Sequence, residues 1–198
     1  MAIAPAAKKD VKKKSTAFVT PEFRASFPAL FAPRAAVEGQ ALKYSVVMLF
    51  DKKTDITTLK QAVANALIEK YGPDKAKWPK GLRLPFRDGS EKEYDGYENT
   101  VFVTASSKNR PGLVDQALQP IIDPENFGGG DYARAEINAF CYSVSGNNGV
   151  SFGLNHVQKT RDGVRFSGRG KAEDAFDAIP VPSASASETA DPLADIGA

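Results

Sequence analysis

The sequence predicts a mainly β protein, a small barrel or half-open antiparallel sheet carrying one helix. Three observations predict it. Five or more stretches of β character are separated by Gly, Pro and Asn turn signals. A single segment has helical spacing. Both lie in about 155 residues, enough for one domain core between two tails of low complexity.

The helix is expected to start after Thr54 or Asp55, either of which can cap it. Leu59, Val63 and Leu67 then fall four apart on one face, with Ile56 and Ala66 beside them, while Lys60, Gln61, Glu69 and Lys70 make the outward face. Gly72 and Pro73 stop it after Tyr71. Ala17 to Phe27 is β-rich but broken by Pro21. Lys43 to Phe50 is a strong strand. Leu82 to Arg87 reads as a short strand ended by the turn Asp88-Gly89. Thr100 to Ser106 is another. Tyr132 to Ser143 is long and alternating. Gly146-Asn147-Asn148-Gly149 signals a hairpin turn, Val150 to Gln158 returns from it, and Arg161-Asp162-Gly163 makes a further turn.

The formal net charge of +2 hides an uneven distribution. Residues 1–16 hold five Lys and one Asp, or +4, and residues 17–171 hold 21 bases and 17 acids, again +4. Residues 172–198 hold six acids and no base, or −6. A basic arm (1–15) and a basic body thus precede an acidic tail (179–198), and both ends read as disordered. Such asymmetry suggests contact with nucleic acid. No apolar run approaches the roughly 18–20 residues that span a bilayer, which argues against a membrane protein. Met1 to Lys14 lacks the apolar core of a signal peptide, which points away from export by that route. A single Cys and a single His exclude an internal disulfide and a Cys/His zinc site, and fit a reducing compartment.

Candidates for catalysis are few. Cys141 alternates with Ile137 and Ala139 and reads as a small core residue. His156 shares a strand face with Phe152 and Leu154 and reads as partly buried. Gly128-Gly129-Gly130 precedes a strand rather than a helix, so it lacks the context of a phosphate cradle. Neither a Walker A nor a nucleophile-elbow pattern occurs, and the acids show no metal-binding spacing. A metal-dependent nuclease, whose carboxylates converge only in the fold, stays open as an alternative, as does a structural protein of the virion.

Binding has more support. The strand from Tyr132 has a small apolar face (Ala133, Ala135, Ile137, Ala139, Cys141) and a mixed face of Tyr132, Arg134, Glu136, Asn138, Phe140 and Tyr142. Single-stranded nucleic acid calls for aromatic rings on which bases stack and cations that track phosphates. The same mixture recurs in Lys43-Tyr44, in residues 82–87 and in the loop bearing Lys75, Lys77, Trp78 and Lys80. On this logic Lys43, Arg83, Arg87, Lys108 and Arg134 neutralise phosphates, and Tyr44, Phe86 and Tyr132 stack on bases. The acidic tail is expected to compete with DNA for the same cations.

Five stretches carry a family resemblance by their order and spacing: Phe27 to Phe31, Lys43-Tyr44-Ser45, Leu82 to Gly89, Thr104 to Lys108 and Gly146 to Ser151. Together they resemble bacteriophage single-stranded DNA-binding proteins of a compact OB-fold family, first catalogued as a domain of unknown function. The resemblance covers about residues 16–178. It implies a five-stranded OB barrel with one inserted helix and sequence-tolerant, non-enzymatic binding of single strands. It further implies a role in phage DNA replication, recombination or repair in the host cell cytoplasm, without cofactor or metal. The partners it implies are single-stranded DNA and replication or recombination proteins met through the acidic tail; further copies of the chain stay open as a partner that no pattern in the sequence encodes. The helix lies after the second strand read here, whereas the usual OB order places it after the third.

Overall fold

The chain was analysed as a computed structural model that describes residues 16–35, 37–144 and 146–166. In chain order the elements are β1 (Phe18–Val19), β2 (Phe23–Arg34), β3 (Lys43–Asp51), α1 (Thr57–Tyr71), β4 (Arg87–Asp88), β5 (Thr100–Ser107), β6 (Gly112–Val114), β7 (Tyr132–Val144) and β8 (Asn147–Arg161). The proposed arm (1–15) and tail (179–198) lie outside the described residues. Among the described residues no helix is long and apolar enough to cross a membrane.

Five strands close on one another. β3 pairs antiparallel with β2 and β5, β7 pairs antiparallel with β2 and β8, and β5 meets β8 in parallel through Ala105 and Phe152. The ring β2-β3-β5-β8-β7 is the five-stranded OB barrel. Alternation drives it shut, because one face of each strand is apolar and must be buried. Phe23 from β2, Met48 from β3, Val103 from β5, Ile137 from β7 and Phe152 from β8 meet in the interior. The small face predicted for Tyr132 to Ser143 is the inward one, with Ala133, Ala135 and Ile137 buried.

α1 lies between β3 and β5, that is, between the second and third barrel strands. It turns Leu59, Val63 and Leu67 to the core, as its spacing predicts, and packs on β7. Asp55 accepts from the Thr57 amide at 2.9 Å, and Gly72 ends the helix at φ 84°.

Four expectations are corrected. The Ala17 to Phe27 segment becomes two strands, and the second runs on to Arg34 through Pro28 and Pro33. Two irregularities accommodate those prolines: around Pro28 the pairing steps from Ser26↔Val47 to Ala29↔Ser45, leaving one extra residue in β2, and it shifts again between Ala29 and Arg34, around Pro33. Leu82 to Phe86 is not a strand, and only Arg87 enters one, the two-residue β4. The segment spans the gap where β5 and β8 diverge, with Arg83 bridging Gly149 at one end and Arg87 pairing with Phe102 at the other. The hairpin reverses earlier than expected, since Asn147, Asn148 and Gly149 already pair with β7, and β8 runs on to Arg161. His156 is exposed, because the pairing moves from Ile137↔Leu154 to Glu136↔His156. Asn155 is thus an extra residue in β8 and flips the alternation. β6 had no sequence signal; at three residues it shows no period.

Candidate nucleic-acid interface

The outer face of β2, β3 and β5 is divided by what covers it. Over one half, Leu49, Tyr97 and Phe102 form a second buried cluster, with Val47 and Phe166 against it. The connection before β5 supplies Tyr97, whose hydroxyl donates to Ser26 Oγ at 3.1 Å. Burial pushes the Tyr97 phenol above its ordinary value.

The other half is open. It is a groove of about 720 Å³ whose floor includes Val47 and the hydroxyls of Ser45, Thr104 and Ser106. One wall is the β2–β3 connection, with Arg34 and Lys43 at its base. Both bases line the groove, and among the described residues no carboxylate does. Phe27 stands at the rim, 57% exposed, at the β2 bulge with φ 44°. Tyr94, 54% exposed, meets it edge-on at 5.3 Å between ring centroids. Tyr94 in turn contacts Tyr97 at 5.5 Å, and Tyr97 contacts Phe102 at 5.3 Å. The exposed pair is therefore the outer end of an aromatic row rooted in buried rings. Rings held this way cost little ordering entropy when a base arrives.

The predicted residues fall into separate places. Lys43 lines the groove. Arg87 is exposed and pairs with Phe102, one strand over from the groove. Tyr44, opposite Ser107, is half-buried and alternates with inward-facing Val46 and Met48. Lys108 is exposed just past β5. Arg83 is exposed where residues 82–88 cross the gap. Phe86 is half-buried, its ring edge-on to Phe152 at 6.3 Å and packed against the core. Tyr132 and Arg134 stand on β7 with partners of their own. The Arg161 guanidinium sits 3.3 Å from the Tyr132 ring centroid and is held by Glu22 at 2.8 Å. Arg134 donates to Gln158 at 2.8 Å. Phe27, Arg34 and Tyr94 were not singled out as binding residues. Tyr94-Asp95-Gly96-Tyr97, two rings around a turn, was the available signal.

The candidates for catalysis have structural partners. Cys141 Sγ donates to the Ala66 carbonyl of α1 at 3.3 Å, and burial raises the thiol pKa, which disfavours a thiolate nucleophile. His156 Nε2 lies 3.8 Å from Glu136 on the outer face of β7 and β8. The Gly128–Gly130 loop is a seat for the chain that follows β8. Phe166 N donates to Gly129 O at 3.0 Å, and a Cβ on Gly130 (φ 105°) would stand 2.1 Å from Val164 O. Beside it, buried Asp131 faces Lys159 at 3.5 Å and Arg165 at 3.3 Å and accepts from the amides of Gly128 and Gly163. Among the described residues no three His, Cys, Asp or Glu side chains converge to hold a metal ion.

Comparison with known proteins gives a family match over residues 16–189 to the model described as Enterobacter phage Enc34, ssDNA-binding protein. The p50 protein of Acyrthosiphon pisum secondary endosymbiont phage 1 is 36% identical over 169 residues, covering 80% of this chain and 91% of p50. In fold, the chain is similar to the single-stranded DNA-binding protein of bacteriophage Enc34 in complex with ssDNA. That match has a TM-score of 0.65 and 20% identity over 78% of this chain and 91% of the other. It is also similar to gp2.5, a single-stranded DNA-binding protein encoded by bacteriophage T7, at a TM-score of 0.56 and 15% identity over 86% and 98% of the two chains. The family match takes in most of the chain, the barrel and its groove included, and the chain belongs to the Enc34 phage ssDNA-binding protein family.

Proposed function

We propose that this protein binds single-stranded DNA without strong sequence preference and without catalysing a reaction, laying the strand in the groove on β3 and β5. The observation that carries the reading is the exposed Phe27–Tyr94 pair at the rim of a groove whose charged lining is Arg34 and Lys43. This is the face of the second and third barrel strands, beside the connection between the first and second, where OB folds take oligonucleotides. Rings accept any base and cations accept any phosphate, and the bases free to stack on a ring are those of a single strand rather than those paired in a duplex. Single strands would be protected and hairpins removed by mass action, because one DNA state is bound over another. That activity suits phage DNA replication, recombination or repair inside the host cell.

Support for the non-enzymatic part comes from the placement of Cys141 and His156, neither of which lines the groove. The proposal extends to the acidic stretch. Phe166 lies against Arg24 on the covered half of the same face, at 4.1 Å from guanidinium to ring centroid. Six acids and no base follow in residues 172–198, a natural competitor for Arg34 and Lys43.

Gel-shift titrations with single- and double-stranded DNA at several salt concentrations test the reading. Tight binding to single strands that weakens steeply with salt is expected. Equal affinity for both forms, or none for either, overturns it.

A further inference from the structure

One basic segment plays no part in the groove. Residues 75–87 carry Lys75, Lys77, Lys80, Arg83 and Arg87 and no acid. Its apolar residues pin it. Trp78, Leu82 and Phe86, four apart, are all packed against the main core. Trp78 Nε1 donates to Gly72 O at 3.0 Å, tying the segment to the end of α1. The Arg83 amide donates to Asn148 O at 2.9 Å, and its carbonyl accepts from Val150 N at 3.0 Å, tying it to β8. Asp74 accepts from the Ala76 amide at 3.0 Å and fixes the turn that carries the first two lysines.

The cations between these anchors are all exposed. Among the described residues Lys75, Lys80, Arg83 and Arg87 have no ionic partner, and Lys77 has only Asp74, at 3.9 Å with both side chains mostly in solvent. The segment also leads away from the groove. Arg87 pairs with Phe102 on β5, two residues from Thr104 in the groove floor, and Arg83 lies on β8 across the gap. An anchored row of exposed cations, four of the five without an ionic partner among the described residues, that begins beside the groove suits a continuation of the same polyanion.

We propose that residues 75–87 form a second, purely electrostatic track, which holds the phosphates of a strand after it leaves the groove. The inference rests on the single-strand reading above and extends its footprint. The track supplies no ring in reach of a base, since Trp78 and Phe86 are turned to the core, so it adds affinity without sequence preference.

The test compares the full chain with a variant carrying Lys75→Ala, Lys77→Ala and Lys80→Ala, using oligothymidylates of about 10 and about 30 nucleotides, one within and one beyond a single OB footprint. On the longer oligomer the variant is expected to bind several-fold more weakly, with its salt slope reduced by about 2 for three lost contacts. On the shorter one it should match the parent chain. The corresponding triple Lys→Arg variant, which keeps the charge, should retain the slope and control for folding. Unchanged binding to the longer oligomer overturns the proposal, as does equal weakening on both lengths. A rise in affinity also overturns it, and assigns the lysines to the chain's own acidic stretch. If the parent chain binds neither oligomer, the single-strand reading itself fails, which is a different result.

Discussion

Phe27 and Tyr94 meet edge to face at 5.3 Å, each more than half exposed, although 67 positions separate them in the chain. A β bulge turns Phe27 outward at φ 44°, and the row through Tyr97 to Phe102 supports Tyr94 from behind. Exposed rings so well supported make poor sense as packing, and good sense as a platform for a base.

Phe27→Ala and Tyr94→Ala should each weaken single-strand binding by roughly tenfold, within the 1–3 kcal/mol of one base–aromatic stack. Thermal unfolding should change little, because both rings are at the surface. Fluorescence anisotropy with an oligothymidylate reads the first effect and calorimetry the second. Unchanged affinity in both variants would remove the platform from the site.

Arg34→Ala and Lys43→Ala should weaken binding to all sequences alike. Each should lower the slope of log affinity against log salt by about 0.7 if the cation meets a phosphate. Titrations at four or five salt concentrations measure it. A loss that depends on sequence, with the slope intact, would mean the contact is to bases.

Asp131→Ala should destabilise the fold by about 1–3 kcal/mol, because it removes the buried carboxylate that accepts from the Gly128 and Gly163 amides and faces Lys159 and Arg165, although Lys159 keeps Asp162 and Arg165 keeps the Glu125 carbonyl. Gly130→Ala should also destabilise, since its φ of 105° is strained for any other residue and the Cβ would meet Val164 O. Urea denaturation gives both values. A loss below about 1 kcal/mol for Asp131→Ala would show that the segment following Arg161 contributes little to stability.

The Glu22 pair predicts an acid-side effect. The hydrogen bond from Arg161, and then that from Thr160, holds the Glu22 carboxyl below its ordinary value of 4.5. A lowered folded-state value means that the stabilisation is present above about 4.5 and is lost as the pH falls through the folded value. Glu22→Gln should therefore cost stability at neutral pH, about 1 kcal/mol or less for so exposed a pair, and the two proteins should converge in acid. Melting temperatures from pH 7 down to 3 would show it; a gap that widens in acid has the wrong sign.

Deleting residues 179–198 should raise affinity for single strands at low salt, with the gain shrinking as salt screens the competition. Equal affinity with and without the segment would leave it no role in competition.

Legibility followed periodicity. α1 was readable because Leu59, Val63 and Leu67 repeat at helical spacing and Gly72 must leave the helix. β3, β5 and β7 were readable to within one residue, β7 because it alternates along its length and β3 and β5 because they are rich in β-branched and aromatic residues. His156 changed faces because the extra Asn155 leaves no local mark in composition. The groove was hardest. Lys43 lines the groove, but its neighbour Tyr44 falls on the opposite side of β3. Its partners Phe27 and Tyr94 come from a bulge and a loop, and tertiary pairing, not local pattern, brings them together. Tyr132 and Arg134 have the composition of a site, and in the fold Arg161, itself held by Glu22, lies over the Tyr132 ring while Gln158 accepts from Arg134.

Photocrosslinking with a 4-thiothymidine-substituted oligomer, followed by mass spectrometry of the adducts, tests the placement of the strand most directly. Adducts on Phe27, on Tyr94 or on the β2–β3 connection between Arg34 and Lys43 are the predicted result. Adducts confined to the β7 face around Tyr132 and Arg134 would contradict it.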